Sequence, residues 1–246
     1  MNSLLITLCT YNERENIERL IPELLQVAPD ATVLVIDDNS PDGTGKLADE
    51  MASQDARIRT LHRPGKLGLG TATIRGFQYG MEHQFELLIN MDADFSHRPV
   101  HIPALRALMD RCDVAIGSRY IPGGGVIGWP IKRHIMSRLI NVWARLWLRL
   151  RTRDNSGSYR CYRVSSLSQI DWNKVLSHGF AIQEEILYRC RRIGCRFAET
   201  PIVFEDRRVG TTKISMKESM RAVVNIMQLG LQSLVGTSVG ISESSR

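Results

Sequence analysis

Asp92 and Asp94 stand one residue apart where an apolar run, Leu87-Leu88-Ile89-Asn90-Met91, gives way to Asp92-Ala93-Asp94-Phe95-Ser96. In an extended chain residues i and i+2 point to one face, so both carboxylates can aim at a single point beyond the strand's carboxyl end. Two convergent carboxylates suit a hard divalent cation such as Mg²⁺ or Mn²⁺, which prefers oxygen and commonly completes its shell with substrate phosphates. A lone Asp-x-Asp at a strand end is more often a helix cap or a solvated turn, so the neighbouring motifs decide its meaning. His97 and His101 lie beside the pair, but Pro99 between them starts a helix, and capping or exposed histidines are commoner than ligands in that setting.

The elements that must position this pair are legible as repeats. Apolar runs at Leu4 to Leu8, Thr32 to Ile36, Ile58 to Leu61, Leu87 to Met91 and Val114 to Ile116 alternate with helix-patterned stretches, as in β-α units around a mostly parallel sheet. The second run ends in Asp37-Asp38-Asn39-Ser40-Pro41-Asp42-Gly43-Thr44, turn formers leading into a helix from Thr44 to Ser53. Ligands of open α/β sheets gather outside the carboxyl ends of the strands, where Tyr11 to Glu13, Asp37-Asp38 and Asp92 to Asp94 all fall. These strand ends are expected to share one crevice.

Beyond Ile116 the alternation stops. Gly123-Gly124-Gly125 reads as a mobile loop beside Arg119 and Arg133, with gating its better use. It opens onto Lys132 to Arg153, a basic stretch with Ile135, Leu139, Ile140, Trp143, Leu146, Trp147 and Leu150 at near-helical spacing. That stretch is either an interfacial helix with its aromatic face in lipid headgroups or a core-packing helix with a solvated basic face. The uncharged window Ala222 to Ile241 is long enough for a membrane span, but Asn225, Gln228, Gln232 and Ser233 interrupt it and Gly230, Gly236 and Gly240 weaken it. An amphipathic helix up to about Leu234 is expected instead.

The 246 residues, 43% hydrophobic, suffice for a substantial core, and a net charge of +6 favours anionic partners. The basic residues form no recognised nucleic-acid-reading element, so no nucleic acid is expected. Five cysteines (Cys9, Cys112, Cys161, Cys190, Cys195) with no Cys-x-x-Cys pair indicate neither a disulfide framework nor zinc. Met1 to Leu8 lacks a basic n-region and a cleavage site and reads as a first strand, which suggests the cytoplasmic side of a membrane. Gly65-Lys66-Leu67-Gly68-Leu69-Gly70 contains neither the Walker pattern nor Gly-x-Gly-x-x-Gly, which disfavours a kinase or dehydrogenase.

Cys9-Thr10-Tyr11-Asn12-Glu13, Asp37 to Thr44, Lys66 to Gly70 and Asp92-Ala93-Asp94 follow one another in an order and spacing that resembles family 2 glycosyltransferases of the GT-A fold. Gly117-Ser118-Arg119-Tyr120, Trp129 to Arg133, Asp154 to Arg160, Gln183-Glu184-Glu185 and Arg207 through Gly210 to Lys213 extend the likeness to the single-domain class of dolichol-phosphate (polyprenol-phosphate) mannosyltransferases. It spans roughly Leu4 to Leu234. It implies a GT-A catalytic domain over 1–215, with an acceptor loop and basic amphipathic helix at 120–153, a C-terminal amphipathic helix at 216–235 and a disordered tail at 236–246.

What the resemblance implies for chemistry is metal-dependent, inverting transfer of mannose from GDP-mannose to a polyprenyl (dolichyl-type) monophosphate by a protein peripheral to a membrane surface. Cys9, Tyr11, Glu13, Ile36, Asp38 and Ala93 would line the nucleotide-sugar pocket; Asp92 and Asp94 would hold Mg²⁺ or Mn²⁺, with Ser96 where some relatives place a further ligand. Arg119, Arg133, Arg207 and Lys213 would receive phosphates of donor and acceptor, with Asp94, Arg119 and Arg133 closest to the reaction. Cys9 stands where many relatives have Pro, and Ser96 where some have Gln. Small membrane subunits assist some members. A UDP-glucose-dependent polyprenyl-phosphate glucosyltransferase and a catalytically silent nucleotide-binding subunit of a membrane complex are the rival readings. The likeness assigns Asp154 and Glu185 no step.

Overall fold

The first run, Leu4–Thr10, forms strand β1, whose alternate side chains enter opposite cores: Leu4, Ile6 and Leu8 on one face, Leu5 on the other. A strand covered on both faces must be apolar on both, and this is why the run reads as continuous rather than alternating. The computed structural model describes residues 3–177, 179–206 and 223–231. After β1 come α1 (Arg14–Val27), β2 (Ala31–Asp37), α2 (Thr44–Gln54), β3 (Ile58–His62), α3 (Leu69–Glu82), β4 (Leu87–Asp92) and α4 (Ile102–Leu108). Then follow β5 (Val114–Ser118), β6 (Gly125–Ile127), α5 (Ile131–Trp147), β7 (Arg160–Arg163), α6 (Val164–Leu167), α7 (Ile182–Arg192), β8 (Phe197–Pro201) and β9 (Val203–Glu205).

The main sheet runs β3-β2-β1-β4-β7-β5-β8, parallel except for β7, which lies antiparallel between β4 and β5. Cys9 is in register with Ile36 of β2 and Asp92 of β4, so three polar strand ends finish at one level. The order β2-β1-β4 brings the first βα turn, the second and the Asp pair side by side, as expected of a crevice at the carboxyl edge of such a sheet.

β6 and β9 pair as a separate parallel ribbon, Gly125 to Val203 through Ile127 to Glu205. The glycine run read as a mobile loop thus leads into a strand, and the Gly124 amide is bonded to Ile121 O. Gly124 is there for close approach: a Cβ would sit 2.4 Å from Ser118 O.

α5 turns Asn141, Ala144 and the following Leu148 inward, with Trp143 and Trp147 partly buried against the core. Of the two readings of this stretch, its aromatic side is therefore the core-packing one. The exposed stripe is aliphatic, running Ile131, Ile135, Leu139, Val142 and Leu146, with Ile131 79% and Leu146 70% exposed. A helix at 223–231 buries Ile226 and Leu229 in the same core and lays Gly230 on Trp147, leaving Val224, Met227 and Leu231 exposed; the rest of the expected helix 216–235 and the tail 236–246 lie outside the described residues. No helix among the described residues is long and apolar enough to cross a membrane.

Candidate active site

A crevice of about 240 Å³ opens at the ends of β1, β2 and β4, lined by Cys9, Thr10, Tyr11, Glu13, Asp38, Asp92, Ala93 and Asp94, by Lys66, Gly68, Leu69 and Ala72, and by Gly179 and Phe180. Each side chain owes its place to a local device. Thr10 donates to Asp37 Oδ1 at 3.1 Å, and Asp37 also accepts from the Ser40 amide and hydroxyl, at 3.0 and 2.5 Å. Asp37 thus folds the turn, and Asp38 is the member of the pair that faces the crevice. Asp38 Oδ1 lies 2.8 Å from Arg63 Nη1, an ion pair without hydrogen-bond alignment, and burial raises its carboxyl despite that cation. Glu13 caps α1 through its carbonyl, while its carboxylate accepts from Asn16 Nδ2 at 2.7 Å. Lys66 Nζ sits 4.5 Å above the Tyr11 ring, a cation held over an aromatic wall. Gly68, at φ +99°, makes the turn that starts α3.

Ile36 differs from expectation. It is fully buried, with its Cδ1 toward Gly76 of α3, so it packs beneath the crevice instead of lining it. Cys9 does line it, and burial pushes its thiol up to about 12, which keeps it a neutral contact.

Asp92 and Asp94 both reach the crevice. The Ser158 hydroxyl donates to Asp92 Oδ1 at 2.8 Å, and Asp94 Oδ1 accepts from the Ser96 amide at 3.1 Å and hydroxyl at 2.5 Å. Ser96 is consequently not a wall residue. It is buried, its hydroxyl donates to Asp94, and its observed contribution is to orient that carboxylate. The all-oxygen donor set, two carboxylates fixed by hydroxyl donors at one edge of a cleft, fits Mg²⁺ or Mn²⁺ with the rest of the shell left to ligand oxygens. No group of three His, Cys, Asp or Glu that could hold a metal occurs among the described residues. His97 is buried, stacks on Tyr159 at 4.9 Å, and accepts the Asp92 amide at Nδ1, 3.0 Å. Its Nδ1 lone pair is used in the neutral ring, and burial lowers its pKa, so the 3.9 Å approach to Asp92 Oδ2 is no salt bridge. His97 supports the backbone beneath the carboxylate.

The cationic residues are held as firmly. Arg119 follows β5 and is buried, its guanidinium 5.2, 5.4 and 5.6 Å from the Tyr120, Trp129 and Phe204 rings. Its Nε and Nη2 bond Asp154, and Nη2 also bonds Ser156 Oγ at 3.0 Å. Arg133, in the first turns of α5, stacks 4.1 Å from the Trp129 ring and pairs with Asp206 at 2.9 and 3.0 Å. Trp129 therefore joins the two arginines. Arg207 and Lys213 lie outside the described residues.

Four residues that carried no assignment in sequence acquire one. Asp154 fixes Arg119; Glu185, fully buried, accepts from the Leu176 and Ser177 amides and Arg189, holding the segment just before the Gly179-Phe180 wall. Gly179 and Phe180 carry no charge or phosphate-loop pattern, and they reach the crevice just ahead of α7, which packs into the same core as α3.

The sequence pattern described as glycosyl transferase family 2 matches residues 5–171. The chain is 40% identical over 222 residues to the undecaprenyl-phosphate mannosyltransferase of Micrococcus luteus, covering 90% of this chain and 91% of that one. It is 37% identical over 239 residues to the polyprenol monophosphomannose synthase of Mycolicibacterium smegmatis, covering 96% and 90%. Among solved structures it resembles glucosyl-3-phosphoglycerate synthase from Mycobacterium tuberculosis in complex with Mn²⁺, UDP and glucosyl-3-phosphoglycerate, with a TM-score of 0.65, 16% identity, and 99% and 82% of the two chains covered. At that identity the likeness concerns the fold.

Proposed function

The chain belongs to glycosyl transferase family 2 and has its GT-A fold, and from that premise we propose that it is a polyprenol-phosphate mannosyltransferase using GDP-mannose as donor. The observation that carries the reading is near-full-length identity of 37–40% to two relatives named for mannosyl transfer to polyprenyl phosphates. The crevice supports it, because paired carboxylates at a β-strand end face a wall containing Lys66 and Tyr11.

In this reading Cys9, Tyr11, Glu13, Asp38 and Ala93 hold the nucleoside, and Asp92 and Asp94 hold a divalent cation, Mg²⁺ or Mn²⁺. When bound, the cation supplies Lewis-acid stabilisation to the leaving diphosphate. Asp92 and Asp94 are aimed by Ser158 and Ser96, so the chain's own part is preorganisation. A phosphate oxygen of the polyprenyl monophosphate attacks the anomeric carbon, the glycosidic bond to the diphosphate breaks, and GDP leaves with inversion at the sugar. No strong general base is needed, because a phosphate monoester with a second pKa near 6 is already largely ionised at neutral pH. Two anions must nonetheless approach each other, and Arg119 and Arg133, with Arg207 and Lys213, are the groups to receive them. Arg119 is held in one orientation by its counter-ion Asp154. Arg133 exchanges Asp206 for the acceptor phosphate.

The acceptor lies in a membrane, and the aliphatic stripe of α5 supports peripheral docking. α5 has no acidic residue, and exposed Lys132, Arg138 and Arg145 flank the stripe, matching an anionic lipid surface. Offering GDP-mannose and UDP-glucose together with polyprenyl phosphate and Mg²⁺ or Mn²⁺ tests the donor: mannolipid is expected, and glucolipid alone overturns the reading.

A further inference from the structure

The face of α5 opposite its aliphatic stripe is tied to Arg119 and Asp92. Asn141, buried near the middle of α5, accepts the amides of Asn155 and Ser156 at Oδ1, 2.6 and 3.3 Å. Its Nδ2 donates to Ser137 O at 2.8 Å within the helix and to Ser156 Oγ at 3.0 Å. Ser156 Oγ in turn accepts from Arg119 Nη2. The loop so gripped begins with Asp154, which forks Arg119, and ends with Ser158, which bonds Asp92. A second tie runs from Tyr120 OH to Ser137 Oγ at 2.7 Å, joining the residue after Arg119 to the same helix.

Ser137, Asn141, Ala144 and Leu148 follow one stripe of the helix, and Leu139, Val142 and Leu146 lie on the other side. One rigid element thus presents apolar surface to the outside and a hydrogen-bonding carboxamide to the loop that sets both a site cation and a site carboxylate. Asn141 saturates both ends of its amide in doing so, and a buried polar network is costly when partly made, so a shift of α5 is felt at the loop.

We propose that Asn141 is a positioning residue through which docking of α5 on an anionic lipid surface sets the loop 154–158, and with it Arg119 and Asp92, so that the lipid surface activates turnover as well as supplying acceptor. This rests on the mannosyl-transfer reading above. Surface activation makes chemical sense for such an enzyme, because a site ordered away from the membrane would expose a bound sugar nucleotide to water with no acceptor at hand.

The test separates activation from acceptor delivery by using a short, water-soluble isoprenyl monophosphate as acceptor and adding acceptor-free vesicles of phosphatidylglycerol and phosphatidylcholine. The full chain is expected to turn over severalfold faster with vesicles. Asn141→Ala is expected to float with the vesicles as the wild type does and to lose that stimulation. Ser156→Ala, which removes one hydroxyl and leaves the backbone bonds to Asn141, is expected to reduce it, and carries the test if Asn141→Ala fails to fold. A wild type that binds vesicles without stimulation, or variants that keep the wild-type ratio, overturns the proposal. If no arm forms a mannolipid, the transfer reading has failed. Hydrogen exchange at the Asn155 and Ser156 amides then judges the coupling: slowing by vesicles supports it, and no change overturns it.

Discussion

Arg119 and Asp154 meet in a buried fork: Nε and Nη2 donate to the two oxygens of the carboxylate at 2.7 Å each, and the Arg119 amide adds a third bond at 2.9 Å. The Gly157 amide donates to Asp154 Oδ1 as well, at 3.1 Å. Burial opposes ionisation of Asp154, but Arg119 outweighs it and holds the carboxyl below its usual range. Asp154→Ala leaves a buried guanidinium without its counter-ion, which costs about 3–5 kcal/mol, and turnover falls with it. Urea unfolding checks the first effect. A loss within the ordinary range of surface substitutions would show that the fork is dispensable.

Glu184 should govern part of the pH dependence of stability. It sits at the start of α7, fully buried, and burial pushes its carboxyl up to about 7 from 4.5. Its own backbone hydrogen bond, Arg160 and Arg119 favour the anion, while Asp154 adds to the effect of burial. The folded chain therefore keeps a proton that the unfolded chain releases. The stabilisation is complete below the unfolded value and is lost as pH rises through about 7, by up to about 3 kcal/mol. Glu184→Gln cannot ionise, so its melting temperature should gain on the wild type between about pH 5 and about pH 8. A difference that stays flat across that range would contradict a buried, protonated Glu184.

Thiol chemistry distinguishes two cysteines at the edge of burial. Cys9 is held neutral by desolvation, against a hydrogen bond with Thr73 that favours the thiolate. Cys195, partly exposed after α7, has its thiol lowered by a hydrogen bond from Cys190. Because the thiolate is the nucleophile, iodoacetamide at mildly alkaline pH should label Cys195 ahead of Cys9, and Cys9 should react readily only after denaturation. Peptide mass spectrometry of native and urea-treated protein measures the order. Rapid native labelling of Cys9 would mean that the crevice is wetter than its burial indicates.

How much of this was legible in sequence depends on the range of the interaction. The five parallel strands were readable because each is an apolar run closed by turn formers, and the convergence of Cys9, Asp38 and Asp92 followed from parallel register. β7 was not, because Arg160-Cys161-Tyr162-Arg163 looks like surface. Arg160 is nevertheless fully buried, its guanidinium donating to Gln183 O, Asn155 O and Tyr162 OH. Ser96 is a local case, since its turn aims the hydroxyl at Asp94, a contact that residue type alone does not report. Ile36 followed strand alternation into the core beside α3. The pairings of Arg119 with Asp154 and Arg133 with Asp206 join residues 35 and 73 apart, beyond what spacing can report. Both depend on the ribbon and helix that follow β5, where the regular alternation ends.

In the proposed reaction the Asp92/Asp94 edge supports mannosyl transfer from GDP-mannose to polyprenyl phosphate. The most direct test is formation of radiolabelled mannolipid by the purified chain with lipid acceptor, in Mn²⁺ or Mg²⁺ and after chelation, for wild type and Asp94→Asn. Metal-dependent mannolipid from the wild type, reduced at least about a hundredfold in a variant that melts normally, is the predicted result. Mannolipid formed equally by Asp94→Asn, or by the chelated wild type, would contradict the account.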